Sequence, residues 1–198
     1  MVMTNANPSI LQLDTKAITV LAHPLRSRLL TELRMHGPAT ATNLARTLET
    51  NTGATSYHLR KLASVGLVEE TEDGRGRERP WRAATEFHGW TEHEIAYDQD
   101  AKAASDWLRR YYLRSFVEHY EHWLDVQQSW PLEWQDVSGA SDFALRLSPA
   151  RLEALNNDIQ ALYERYRERA ETGPALEGDD EQVVQVVIHA FPFEARRR

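Results

Sequence analysis

The sequence predicts a mainly α-helical chain with a small amount of β-structure, divided into two modules. Apolar residues recur at helical spacing over most of the chain, and the pairs Gly37-Pro38 and Gly173-Pro174 interrupt that pattern. Residues 1–82 carry 11 Lys and Arg against 8 Asp and Glu, whereas residues 83–198 carry 12 against 22. Of the 18 aromatic residues, 16 lie after residue 82. This asymmetry favours two modules with different partners.

The composition excludes several classes of protein and site. The 198 residues include no cysteine, which rules out disulfides, thiolate metal sites and cysteine nucleophiles. No apolar run approaches the roughly 18 residues that a membrane span needs. Residues 1–10 lack the basic flank and apolar core of a secretory signal. We therefore expect a soluble protein of the cytoplasm.

The first module begins with a polar tail, residues 1–14, whose first dozen residues we expect to be frayed. Asp14 is placed to cap a short helix that ends near Leu21. Pro24 suits the first turn of a second helix, because its missing N–H would have no partner there in any case. The apolar face of this second helix is formed by Leu25, Leu29, Leu30 and Leu33.

Two further short helices are predicted after Gly37-Pro38. They cover about residues 41–48 and 54–64, and Gly66 is placed to close the second of them in the left-handed conformation. Helical spacing puts one set of side chains on the inner faces of these two helices: Leu44, Ala45, Leu48, Thr55, Leu59 and Leu62.

A hairpin with a basic, glycine-rich tip follows the helices. Its strands are predicted over residues 67–71 and 80–83, with the tip at residues 73–77. Several arginines lie on or beside the tip: Arg75, Arg77, Arg79 and Arg82. Short helices followed by such a hairpin are the element order of a winged helix-turn-helix domain, which we place at residues 15–85. The alternative for the hairpin alone is a solvated turn, since nearby carboxylates almost cancel its charge.

The helix at residues 54–64 is the predicted recognition helix, because an α-helix fits the major groove of DNA, which is about 12 Å wide. Its predicted outward residues are Thr52, Ser56, Tyr57, Arg60 and Lys61. Small hydroxyl residues at the helix start let phosphate approach the free N–H groups, and Arg60 and Lys61 supply positive charge. The sequence therefore favours binding to double-stranded DNA. The rival function is a protein-interaction or architectural module that reads no sequence.

Three motifs in this module resemble the ArsR-like winged-helix transcriptional regulators. They are Leu21–Leu30, Thr42–Ala45 and Thr55–Val68, and the resemblance covers about residues 15–85. It implies a homodimeric repressor that is released by an effector. We expect such a dimer to bind an inverted-repeat operator. The resemblance also implies that DNA is contacted by Asn51, Thr52, Ser56, Tyr57, Arg60 and Lys61. The absence of cysteine departs from the metal-sensing branch, and the chain is about a hundred residues longer than the family core.

The second module, residues 86–198, is predicted to be a helical and α/β extension for dimerisation or effector binding. A long helix covers about residues 99–127 and ends before Trp130-Pro131. A strand–helix–strand unit follows, with strands at Phe143–Leu147 and Gln182–Phe191. The helix between them begins at Pro149, and its apolar stripe of Leu152, Leu155, Ile159 and Leu162 is predicted to pack against the strands.

The long helix carries a broad aromatic stripe that we interpret as a dimer interface or an effector pocket. Aromatic side chains provide a large contact area at low entropic cost, and pockets often lie between helices, so both uses stay open. The residues are Trp107, Tyr111, Tyr112, Phe116, Tyr120 and Trp123.

Metal binding and catalysis receive little support from the sequence. His119 and His122 have i, i+3 spacing that could hold a metal, but a solvated acidic face explains them as well. The sequence contains no phosphate-binding loop, dinucleotide fingerprint or nucleophile elbow. We therefore expect no enzyme activity and no cofactor.

Overall fold

The computed structural model describes residues 10–72, 79–172 and 181–193. The helices are α1 (Thr15–Leu21), α2 (Pro24–His36), α3 (Ala41–Thr47), α4 (Thr52–Ala63), α5 (Glu92–Ile95), α6 (Gln99–Val126), α7 (Leu132–Val137) and α8 (Pro149–Thr172). The strands are β1 (Ile10–Gln12), β2 (Val68–Glu70), β3 (Trp81–Ala83) and β4 (Phe87–Gly89). The mainly helical fold class with few strands is thus confirmed.

Capping residues and a first-turn proline set the ends of the helices in the first part of the chain. The Asp14 side chain accepts a hydrogen bond from the Ala17 N–H at 2.7 Å, as the sequence predicted. Pro24 occupies the first turn of α2. After α4 the chain reverses at Gly66, whose φ of 73° is the left-handed conformation that glycine adopts without strain. The predicted glycine cap is confirmed.

The helices α1 to α4 enclose one apolar core. The predicted inner residues of α2, α3 and α4 are buried, apart from Leu25, which is only partly covered. The core also contains Leu67 and apolar residues of α1, β2, β3 and the first half of α6, including Ile18, Leu21, Val68, Trp81, Ala101 and Leu108. Because α4 is fixed to this core through Leu59 and Leu62, its opposite side is held outward as a rigid surface.

Two small sheets accompany these helices. The strands β2 and β3 pair antiparallel, with Val68 opposite Ala83 and Glu70 opposite Trp81. The tip of this hairpin, residues 73–78, lies outside the described residues. The strands β1 and β4 pair in parallel. The prediction of a frayed first dozen residues is therefore wrong for Ile10–Gln12, which gain backbone partners from a segment far along the chain.

The chain divides into two compact units, residues 1–120 and 121–198, and α6 begins in the first unit and ends in the second. In the second unit α7 and α8 are helical, and α8 begins at the predicted proline. Residues 143–147 and 181–193 are not in strands, so the predicted strand–helix–strand unit is wrong.

The failure of these strands has a physical reason. β-Prone residues form a strand only where a neighbouring strand supplies hydrogen bonds, and the described residues provide no such neighbour for either segment. Val183, Val186 and Phe191 are accordingly exposed. The stripe on α8 does not pack against a sheet, and its Leu162 is 45% exposed. No described residue of the second unit is buried.

Candidate nucleic-acid interface

The exposed side of α4 is the main surface of the candidate interface. Thr55, Leu59 and Leu62 are buried, which leaves the opposite side of the helix in solvent. The structure places the predicted outward residues on that side: Asn51, Thr52, Tyr57, Arg60 and Lys61 are exposed, and Ser56 is half-buried. Because of the α-helical period, the residues that attach α4 to the core lie on the side opposite its accessible polar residues.

The start of α4 is organised by Asn51. Its Oδ1 accepts a hydrogen bond from the Ala54 N–H at 2.8 Å. The N–H groups of Thr52 and Gly53, at the start of the helix, have no partner within it. A side chain at Gly53 would bring its Cβ within 3.3 Å of the same oxygen, so glycine keeps the turn open. The first turn of α4 can thus present N–H groups to an anion that approaches from solvent.

The middle of α4 combines an aromatic ring with a cation. Tyr57 is 49% exposed, and the Lys61 Nζ lies 5.7 Å from the centroid of its ring. The Tyr57 ring also meets the His58 ring edge-on, with the centroids 5.1 Å apart. These contacts restrain Tyr57 and Lys61, so less side-chain entropy is lost when either binds a ligand.

The arginines of the hairpin have different environments. Arg79 is exposed, and Arg75 and Arg77 lie outside the described residues. Arg82 donates from Nε to Glu69 Oε1 at 2.8 Å, across the β2–β3 pair. Its positive charge is therefore already matched within the hairpin, which makes Arg79 the better-placed cation among the described hairpin residues.

The aromatic residues of α6 are brought together pairwise along the helix. The Trp107 and Tyr111 rings stack with centroids 5.1 Å apart, and the Phe116 and Tyr120 rings stack at 5.9 Å. In the second unit Trp123 meets Trp130 edge-on. All of the stripe's named residues are half-buried, so each keeps surface that a partner could cover.

An open groove of about 320 Å³ lies between α2, the end of α3 and α6. The residues around it include Arg28, Thr31, Thr47, Tyr111, Arg114 and Ser115. This groove brings one residue of the predicted aromatic stripe, Tyr111, next to two arginines and two carboxylates, Glu32 and Glu118. Burial raises the Tyr111 pKa, and the nearby Arg28 partly opposes that shift.

A polar chain joins α2, β4 and α6, and sequence reasoning missed it. Arg34 donates from Nη1 to His88 Nδ1 at 2.8 Å, and His88 Nε2 lies 3.0 Å from the Tyr112 hydroxyl. Because a guanidinium can only donate, the His88 proton is on Nε2 and is donated to Tyr112. Burial and the Arg34 charge lower the His88 pKa to about 3, and burial raises the Tyr112 pKa.

The polar chain couples α6 to the helices of the first unit. Arg34 also donates from Nε to the Thr85 carbonyl at 3.1 Å, so it contacts the segment before β4 as well. Burial lowers the Arg34 pKa to about 10, which still leaves the side chain charged at neutral pH. Its partners lie more than fifty residues along the chain, and no local sequence signal could have identified them.

His119 and His122 are both exposed on α6. Across the described parts of the chain, no group of three His, Asp or Glu side chains is arranged to hold a metal ion. Likewise, none of the helices in these parts is both long and apolar enough to span a membrane.

Comparison with known proteins identifies the helical part of this site. Residues 21–71 match the family model described as a helix-turn-helix domain. No curated protein matches the chain in sequence.

Among solved structures, the chain is similar to the homodimeric winged helix-turn-helix DNA-binding domain of a possible ArsR-family regulator from Mycobacterium bovis. The two are 21% identical, 52% of this chain and 76% of that one are covered, and the TM-score is 0.32. A protein from Mycobacterium tuberculosis is 14% identical, with 76% of this chain and 81% of that one covered and a TM-score of 0.31. A MarR-family regulator from Neisseria meningitidis is 16% identical, with 79% of this chain and 80% of that one covered and a TM-score of 0.28. Scores this low add nothing to the assignment, which rests on the family model and on the geometry of α2 to α4 with the β2–β3 hairpin. Residues 21–71 are therefore a helix-turn-helix domain, and the hairpin makes it a winged one.

Proposed function

We propose that the chain is a transcriptional regulator that binds double-stranded DNA through α4. The observation that carries this proposal is the division of α4 into a buried apolar side and an exposed side with Asn51, Tyr57, Arg60 and Lys61. An α-helix fixed in this way can enter the major groove without disturbing the core behind it.

The exposed residues have distinct roles in this proposal. The first turn of α4, with Asn51, Thr52 and Ser56, binds backbone phosphate through N–H and hydroxyl groups. Arg60 and Lys61 contact guanine edges or phosphates, since both can donate to the acceptors of the major groove. The hairpin contacts the adjacent backbone or minor groove through Arg75, Arg77 and Arg79.

The regulator acts as a homodimer on an inverted repeat. Two copies of α4 would enter successive major-groove turns about 34–36 Å apart. The second half of the chain is the source of the dimer contacts, because Leu162 of its α8 stripe and the residues around Val183 are exposed although they are apolar. The regulator represses transcription, and an effector that binds near the α6 aromatic residues releases it from DNA.

Selection of binding sites from random-sequence DNA tests this function. The full-length protein is incubated with a random duplex pool, bound sequences are amplified, and affinity is then measured by fluorescence anisotropy at graded salt. We expect an inverted repeat to emerge, with log Kd rising steeply against log salt because phosphate contacts release counterions. A flat salt dependence, or equal affinity for selected and random DNA, would favour the rival protein-interaction module instead.

A further inference from the structure

Three side chains meet where the start of α2 passes α4, and the proposed DNA contacts include none of them. The His23 and His58 rings lie with their centroids 4.4 Å apart. Arg26 belongs to the first turn of α2, and its charge acts on both imidazoles. The His58 ring also meets the Tyr57 ring edge-on, so the cluster adjoins the exposed side of α4.

Both imidazoles in this cluster favour the neutral form. The His23 Nδ1 accepts a hydrogen bond from the Leu25 N–H at 3.1 Å, so its proton is on Nε2. Burial lowers the pKa of His23 and of His58, and the Arg26 charge lowers both further. Arg26 is thus the main positive charge of the cluster.

Arg26 lacks an acceptor for its guanidinium in the described ranges 10–72, 79–172 and 181–193. Its Nε is buried without a hydrogen-bond partner, and no carboxylate in those ranges forms an ion pair with it. Burying a charged donor without a partner costs free energy. The same burial also lowers the Arg26 pKa.

A phosphate group supplies what this cluster lacks. Its oxygens accept hydrogen bonds from a guanidinium in a bidentate arrangement, and its negative charge offsets the cost of burying the Arg26 Nε without a partner. The imidazole Nε2–H of His23 is a second donor beside Arg26. The position next to Tyr57 means that a DNA strand lying along α4 would pass this cluster.

We propose that Arg26, with the imidazoles of His23 and His58 beside it, binds a backbone phosphate of DNA next to α4. This inference rests on the proposed function and extends its contact surface from α4 and the hairpin to the start of α2. The contact sets the position of the helix on the DNA and carries no sequence information, because phosphates are the same at every base pair.

The test compares Arg26→Gln with Arg28→Gln in the full-length protein. Arg28 is an exposed arginine two residues further along α2, beside the groove near Tyr111. Arg28→Gln therefore removes the same charge at a different place. Affinity for the selected operator and for a random duplex is measured across a salt series. For Arg26→Gln we expect the log–log slope to fall by about 1, equally on both duplexes, because one phosphate contact is lost. For Arg28→Gln we expect the wild-type slope.

Two further variants keep the test decisive should Arg26→Gln fail to fold. Arg26→Met preserves the aliphatic stem and should show the same loss of slope, whereas Arg26→Lys keeps the charge and should retain the slope. Wild-type slopes for every folded neutral Arg26 variant would overturn the inference and leave the proposed function intact. A flat slope for the wild-type protein would refute the proposed function, and this inference with it.

Discussion

The pH dependence of stability should report on the chain of Arg34, His88 and Tyr112. Folding lowers the His88 pKa from an ordinary value of 6.5 to about 3. Between these values the unfolded chain binds a proton that the folded chain does not bind. The His88 contribution to the free energy of unfolding is therefore fully present above pH 6.5 and is lost progressively as the pH falls toward 3. The loss is about 1.4 kcal/mol per pH unit in the middle of this range, which gives about 2 kcal/mol between pH 7 and pH 5.

Replacing His88 with Gln removes this titration while keeping an amide that can accept from Arg34 and donate to Tyr112. The free energy of unfolding is measured by urea titration with circular dichroism at pH 7 and pH 5, at one protein concentration. We expect the difference between the two pH values to be about 2 kcal/mol smaller in His88→Gln than in the wild type. His93→Gln, which removes an exposed imidazole, should keep the wild-type difference. An unchanged difference in His88→Gln would refute the reasoning about this chain.

Three other outcomes follow from the fold. Asn51→Ala removes the cap of α4 and should lower the free energy of unfolding by about 1 kcal/mol in a urea titration; a change near zero would show that the cap is dispensable. Leu59→Ala leaves a cavity under α4 and should cost about 2–5 kcal/mol, and a smaller loss would mean that α4 is loosely attached. A chain ending at residue 120 keeps the whole core of the first unit, so its α1 to α4 region should stay folded by circular dichroism. If the second half makes the dimer, the same truncation should be a monomer by analytical ultracentrifugation, and a dimer would place the interface in the first unit.

Local signals account for the part of the fold that the sequence could predict. Asp14, Pro24 and Gly66 act on backbone groups within a few residues, so their effects can be read from the chain itself. The inner positions of α4 follow from the helical period, because Leu59 and Leu62 fall on one side whatever they contact.

Long-range pairing explains what the sequence could not predict. The strand Ile10–Gln12 exists because Phe87–Gly89 pairs with it, and the polar first residues give no sign of that partner. Conversely, Phe143–Leu147 has strand-forming residues but no partner strand within the described chain. Local composition measures the tendency of a segment to pair and cannot identify the segment with which it pairs.

The candidate site also combines residues that local patterns predict with contacts that only the packing creates. The exposed residues of α4 were predicted because they share one helix and one period. The contact between Arg34 and His88 joins residues 54 positions apart, and the His23–His58 contact joins two helices. The motif around His23 and Arg26 was visible in the sequence, but its proximity to α4 is a property of the packing.

The most direct test of the central claim is the effect of Arg60→Ala on discrimination between DNA sequences. Kd is measured for the selected operator and for random duplex DNA at one salt concentration, with Arg110→Ala, an exposed arginine on α6, as the matched control. If α4 reads base edges through Arg60, the variant should bind the operator more weakly by roughly 1–3 kcal/mol while its affinity for random DNA changes much less. The control should keep the wild-type ratio of the two affinities. An Arg60→Ala protein with the wild-type ratio would contradict the claim that Arg60 on the exposed side of α4 reads DNA sequence.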